Sequence, residues 1–257
     1  MFVVNRTKSN PVLTPLPRAE WEASATFNLS PVRRGKHIYG LYRAISGSDN
    51  FGTPDQMSTI GIAKSSDGSH FKERRQFIVP QEEWEKFGCE DPRATFFEGR
   101  YYIFYTALSR FPFEADGIKV AVAISDDLKK VSERHPVTPF NAKAMTLFPE
   151  RINGKVTVIF SAHTDSPPTK MSIAQVDRVE ELWDPAFWDK WHQEIDQHAL
   201  NLRRNDRDHV EVGGSPIKTE HGWLLIYSHI EDYFGGGRPR FGIEALLLAS
   251  DDPQRII

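Results

Sequence analysis

The chain has 257 residues, of which 39% are apolar and 26% charged, and its net charge is −3. Such a composition argues against disorder and against a fibrous chain, and the length is ample for one large core. The two charge signs are mixed and no basic stripe is present, so a nucleic-acid partner is not expected. No apolar run approaches the roughly 18 residues that cross a bilayer, and the N-terminal sequence carries no secretory pattern. A protein without a membrane partner, placed in the cytoplasm, is the expectation. The one cysteine, Cys89, excludes an internal disulfide and a multi-thiolate metal site.

In chain order, the apolar runs are short and rich in Val, Ile, Phe and Tyr. They begin with KHIYGLYRAI (36–45), STIGIAKSSDG (58–68), ATFFEGRYYIFYTAL (94–108) and GIKVAVAISDDL (117–128). They continue through KAMTLFPERINGKVTVIFSAH (143–163), KMSIAQV (170–176), SPIKTEHGWLLIYSHI (215–230) and FGIEALLLAS (241–250). Runs of this length and composition predict strands. Glu98-Gly99, Asn153-Gly154 and His221-Gly222 each separate two such runs and predict hairpin turns.

A small-residue strand ending in polar turn residues recurs from 59, 118, 171 and 243. A repeat of this kind, with several short strands per unit, predicts a β-propeller over the alternative of a β-sandwich. Four blade-like units are expected, at about 30–80, 90–140, 143–178 and 208–257. Residues 180–204 break the β pattern and predict one or two short helices, capped near Asp184-Pro185 and inserted between blades. Their tryptophans, Trp183, Trp188 and Trp191, are expected to pack on the rim, with sugar contact as the alternative.

The segment GCEDPR (88–93) puts Asp91 at a strand start, with Arg93 beside it. An aspartate there suits a general acid, and an arginine suits a hydroxyl or oxyanion clamp. By itself the segment reads more readily as a structural Asp-Pro turn, salt-bridged to Arg93. His163, His209 and His229 have no spacing of a metal motif, so contacts to sugar or side chains are expected of them. Cys89 has no evident activating partner and reads as structural.

Seven segments, in order along the chain, resemble glycoside hydrolase family 130, the β-mannoside phosphorylases and β-mannosidases. They are NPVLTP (10–15), FN (27–28), LYRA (41–44), GCEDPR (88–93), LFPERINGK (147–155), PIKT with GWLLIY (216–227) and DPQRII (252–257). The resemblance implies an all-β, five-bladed propeller with its site in the central cavity. About four blades would lie within residues 1–257, as one glycosidase domain, with the fifth expected after 257. It implies that Asp91 is the proton donor, directly or through a sugar hydroxyl, and that Asn28, Arg43 and Arg93 hold the sugar next to the scissile bond. Lys143 matches a phosphate-binding position of the family.

Two reactions are then in play. An inverting hydrolase needs a second carboxylate to activate water, roughly 6.5–9.5 Å from the acid. Glu211 and Glu244 stand where the family's hydrolases carry such a pair, so hydrolysis of short β-1,2-linked mannosides is the first expectation. A phosphorylase instead uses inorganic phosphate as co-substrate, held by cations. Its histidine after the GWLLIY strand is replaced by Ser228, unless His229 serves with a one-residue shift to the other face of the strand. A phosphorylase with Lys143, Arg43, Arg93 and His229 around phosphate is the second reading. A sugar-binding or inactive propeller, one that self-associates through an open edge, is the third. No metal or organic cofactor is implied.

Overall fold

The computed structural model describes residues 7–47 and 56–257. Among them, sixteen strands form four consecutive antiparallel sheets. The first sheet is β1 (Ala25–Arg34), β2 (His37–Ile45), β3 (Ser58–Ser65) and β4 (Lys72–Ile78), paired in that order. The second is β5 (Gly88–Phe97), β6 (Arg100–Leu108), β7 (Ile118–Ser125) and β8 (Glu133–Pro136). One parallel bridge, Ser58 to Gly88, links the two.

The third sheet is β9 (Ala142–Leu147), β10 (Val156–Ala162), β11 (Lys170–Val176) and the two-residue β12 (Ala199–Leu200). In the fourth, β13 (His209–Val212) and β14 (Ile217–Thr219) both pair with β15 (Gly222–Glu231), which then pairs with β16 (Arg240–Leu248). The recurring small-residue segment is the third strand of each meander: β3, β7, β11 and β16.

The sheets stack through apolar faces. Ile60 and Ile62 of the first meet Ile103 and Tyr105 of the second, and Phe104 and Val122 of the second meet Val158 and Phe160 of the third. Ile159 and Ile173 of the third meet Val210, Leu225 and Tyr227 of the fourth. The innermost strands converge: Thr95 Oγ1 lies 3.2 Å from Thr146 Oγ1 and 2.8 Å from Ser215 Oγ. Those three hydroxyls satisfy one another where three sheets meet, as buried polar groups must.

Two of the predicted hairpin turns close with both central residues in the left-handed region, Glu98 (φ 45°) with Gly99 (φ 89°) and Asn153 (φ 49°) with Gly154 (φ 79°). In the third, glycine is needed for a different reason. Gly222 has φ 137°, and a Cβ there would stand 2.3 Å from the Leu248 carbonyl oxygen.

The predicted helix is α1 (Pro185–Gln193), with proline in its first turn and the Asp184 side chain accepting from Ala186 N at 3.0 Å. Its place differs from expectation. The insertion lies inside the third sheet, between β11 and β12, and not between sheets. A strand of two residues is too short to leave a periodic pattern, which is why the boundary was misplaced. Trp188 and Trp191 are core, 0% and 6% exposed, beneath Phe140 and Phe160. The rim is left to Trp183, which stacks on His135.

Candidate active site

The site begins with a backbone irregularity that three sheets share. The innermost strands β1, β5 and β9 each slip register once, between Phe27 and Ser30, between Glu90 and Arg93, and opposite the step from Ile159 to Ser161. At each slip one residue is left-handed: Asn28 (φ 53°), Asp91 (φ 50°) and Ala144 (φ 54°). Such bulges re-aim a side chain that a regular strand would point into the sheet. Asparagine and aspartate tolerate this conformation better than other side chains, at a cost of order 1 kcal/mol.

Asn28 Nδ2 donates to Asp91 Oδ1 at 2.6 Å. Arg43 reaches the same oxygen at 3.7 Å, forms an ion pair with Glu90, and donates to Ser58 Oγ at 3.2 Å. Arg93, 6% exposed, donates to the Asp91 carbonyl oxygen at 2.8 Å and to the Val212 carbonyl oxygen at 2.9 Å. It also meets Glu211 at 3.4 Å. Lys143 pairs with Asp165 at 2.9 Å. Asn28, Arg43, Asp91 and Arg93 therefore come together, and Lys143 and Glu211 stand close enough to influence each other's charge.

The electrostatics follow from partial burial. Burial pushes the Glu90 carboxyl above its ordinary value, with Arg43 pulling against it. Burial would raise Glu211 too, but the His209 hydrogen bond and the Arg93 and Lys143 charges outweigh it, and its carboxyl is held low. Burial would lower the Lys143 ammonium, yet Asp165, Glu211 and Glu90 keep it raised. The cluster is thus three cations interleaved with carboxylates around Asp91.

Two predicted residues do not join it. Cross-strand partners share a face, and neighbours along a strand alternate. Glu211 is level with Ser228 and Ile243, whereas Val212, Tyr227 and Glu244 form the adjacent row. Glu211 and Glu244 therefore project from opposite faces of the fourth sheet. Glu244 accepts from Tyr227 OH at 2.7 Å and from Arg204 at 2.6 Å, and these bonds outweigh burial and hold the Glu244 carboxyl low. His229 lies on the Glu244 face, 4.0 Å from that carboxylate, with its other nitrogen 3.1 Å from Asp208 but off the line of a hydrogen bond. The two glutamates do not flank one water, and His229 does not reach Arg93. Ser228 lies on the Glu211 face.

His209 meets Thr169 Oγ1 at 2.8 Å as well as Glu211, and His163 meets His192 with 3.0 Å between ring nitrogens. Among the described residues, no group of three or more His, Cys, Asp and Glu is arranged around a metal position, and no helix is long and apolar enough to cross a membrane. Asp165 and Ser58 were not legible as site residues: Asp165 acts through Lys143 and Ser58 through Arg43, and only the fold brings each pair together.

A carboxylate at a strand bulge between two arginines, carried on stacked four-stranded meanders, fits the carbohydrate-active propeller that the family resemblance implies. Residues 11–252 match the Glyco_hydro_130 family, described as beta-1,4-mannooligosaccharide phosphorylase. The chain belongs to glycoside hydrolase family 130, whose enzymes are glycoside hydrolases or phosphorylases. A 1,2-beta-oligomannan phosphorylase of Thermoanaerobacter sp. (strain X514) is 30% identical, over 100% of this chain and 80% of its own length. The Listeria innocua β-1,2-mannobiose phosphorylase, solved with β-1,2-mannobiose, superposes with a TM-score of 0.74 at 23% identity, over 98% of this chain and 81% of that one. A family 130 structure reported with glycoside hydrolases that target β-1,2-mannosidic linkages in Candida mannan gives 0.73 at 21% identity, over 98% and 77%. At such identities these structures establish the fold, a β-propeller.

Proposed function

We propose that this chain cleaves β-1,2-mannosidic bonds by inverting phosphorolysis, with residues 1–257 acting as one propeller domain in the cytoplasm. Asp91 delivers its proton to the glycosidic oxygen, directly or through a sugar hydroxyl, as the bond to C1 breaks. An oxygen of inorganic phosphate attacks C1 from the opposite face, giving α-mannose 1-phosphate and the shortened saccharide. Asn28, Arg43 and Arg93 grip the sugar whose bond is cleaved. Arg43, Arg93 and Lys143 supply the positive field that a phosphate dianion requires.

The observation that carries the reading is the 2.6 Å contact from Asn28 to Asp91 inside this ring of cations. Two of the three relatives named above, including the one at 30% identity, are phosphorylases by name, which favours this reaction over the hydrolysis first expected. The opposite-face placement of Glu211 and Glu244 weighs the same way, because it removes the paired base that hydrolysis was expected to use. Incubation with β-1,2-mannobiose, with and without phosphate, tests the proposal. Sugar phosphate only when phosphate is present supports it, and free mannose without phosphate refutes it.

A second reading rests on one contact. Glu211 sits on Arg93 at 3.4 Å, where an attacking phosphate would also want to be. If Glu211 remains there during the reaction, it serves as the base that activates water opposite Asp91, and the reaction is hydrolysis with a single base.

A further inference from the structure

A buried cluster recurs in the first two sheets, and no step of the proposed reaction uses it. Each of these sheets is preceded by the tripeptide Glu-Trp-Glu in a single helical turn, Glu20–Glu22 and Glu83–Glu85. The last glutamate of each turn, Glu22 or Glu85, is 0% exposed. A carboxylate stays buried only where a cation and hydrogen-bond donors surround it. Tyr42 OH donates to Glu22 Oε2 at 2.8 Å, and Arg74 pairs with the same oxygen at 3.4 Å. Tyr105 OH donates to Glu85 Oε2 at 2.5 Å, and Arg134 pairs with Oε1 at 2.7 Å. The tyrosines are on β2 and β6, and the arginines on β4 and β8. Burial, with the facing carboxylate, pushes both phenols up, so each hydroxyl remains a donor.

The spacing ties each cluster to a site residue. Asn28 and Asp91 are 63 positions apart, and the same interval separates Glu22 from Glu85 and Tyr42 from Tyr105. Both tyrosines therefore stand next to a register slip: β1 pairs through Phe27–Arg43 before it slips, and β5 through Glu90–Thr106. Cys89 Sγ, just ahead of Glu90 and Asp91, also donates to Glu85 at 3.4 Å. The third sheet offers the contrast. Its left-handed residue is Ala144, which presents no polar side chain, and the same intervals lead from it to Thr138 and Val158. That sheet is built without the cluster, so a meander of this fold does not need one.

We propose that Glu22 and Glu85 are positioning residues, each pinning the strand start that presents Asn28 or Asp91, so that the two clusters set the contact between those side chains. This deepens the reading of Asp91 as the proton donor and rests on it. Both carboxylates are sealed from solvent and act only through the backbone they hold. A misplacement of about 1 Å at a catalytic group costs about 100-fold in rate, so a rigid strand start matters most where a bulge aims the acid.

Tyr105→Phe in the full chain keeps the ring and removes one donor, a milder change than loss of Glu85, which would leave Arg134 unpaired. We expect kcat for β-1,2-mannobiose cleavage to fall about 10-fold in folded protein, with KM within about 2-fold. In the Asn28→Ala background the same change should cost less than about 2-fold, because the contact it acts through is already gone. Thr138→Val, which removes a buried hydrogen bond beside the third sheet, should leave kcat within about 2-fold. Equal losses in both backgrounds, or kcat unchanged by Tyr105→Phe, would overturn the proposal, because a merely structural cluster changes stability alone. The rate counts all cleavage with phosphate present, so hydrolysis in place of phosphorolysis leaves the test intact. Should Asp91→Asn retain turnover, the acid reading fails, and a crystal structure of Tyr105→Phe then decides the positioning by itself. An Asn28–Asp91 contact lengthened past about 3.5 Å supports it, and one unchanged at 2.6 Å refutes it.

Discussion

Asn28 and Asp91 occupy equivalent places in successive sheets. Each is the left-handed residue of a bulge near the start of an innermost strand, and the 2.6 Å hydrogen bond between their side chains closes the gap between those strands. The Asp91 carboxylate is therefore held by a neighbour that the fold itself repeats. Arg43, on β2, completes the clamp from beneath the Asn28 strand, 3.7 Å from the same carboxylate oxygen.

Asp91→Asn keeps both the shape and the tolerance for the left-handed backbone, so the melting temperature should shift by no more than about 2 °C. Turnover should fall by about 10³-fold, within the usual reach of general acid catalysis. Asn28→Ala should cost about 10-fold to 100-fold in kcat/KM, because it loosens the acid without removing it. Retained turnover in Asp91→Asn would remove Asp91 from its role.

Glu211→Gln separates the two reactions. Under phosphorolysis the change takes an anion away from Arg93, so KM for phosphate should fall by about 3-fold to 10-fold while turnover persists. Under hydrolysis by a single base, the same change should remove about 10²-fold or more of the rate. Initial rates against phosphate concentration decide between them.

Glu244→Gln should leave kcat within about 2-fold, because its side chain is on the far face of the sheet from Glu211. The price is stability: loss of the Arg204 pair and weakening of the Tyr227 bond should cost about 1 kcal/mol, read by denaturant titration. Since the folded carboxyl is held low, its contribution is present above the unfolded value of about 4.3 and is lost as pH falls through the folded one. The difference between variant and parent should therefore shrink below about pH 4.

His163 and His192 predict a milder acid sensitivity. Burial lowers both, and each also lies near Lys170, with Asp196 opposing at His163. A histidine lowered in the folded state binds fewer protons there than when unfolded. The stability it allows is complete above about pH 6.5 and declines as pH falls toward the folded value. Thermal melts from pH 7.5 to 5 should show a slope that His192→Gln reduces. An unchanged slope would assign the acid sensitivity elsewhere.

Much of the fold was legible in the sequence because strands of seven to ten residues leave a pattern. The x-Gly turns, the Asp184-Pro185 cap and the repeated third strand all mark units that local chemistry specifies. The two-residue β12 leaves none, and the insertion was misassigned for that reason. At the site, Asn28, Arg43, Asp91 and Arg93 were named together from a family resemblance, and the fold brings them together. Glu211 and Glu244 were named as a pair because the family's hydrolases carry two glutamates in this part of the chain. One register step between neighbouring strands puts them on opposite faces, and register is what residue spacing across a hairpin and a glycine-rich loop does not specify. Asp165 escaped notice because it matters only through Lys143, which the fold alone brings beside it.

The most direct measurement is proton and phosphorus NMR of β-1,2-mannobiose digestion, followed from the first turnover, with parent and Asp91→Asn side by side. We predict α-mannose 1-phosphate as the first product of the parent, formed only when phosphate is supplied, and none from Asp91→Asn. Free mannose accumulating at the same rate without phosphate, or sugar phosphate formed normally by Asp91→Asn, would contradict the account.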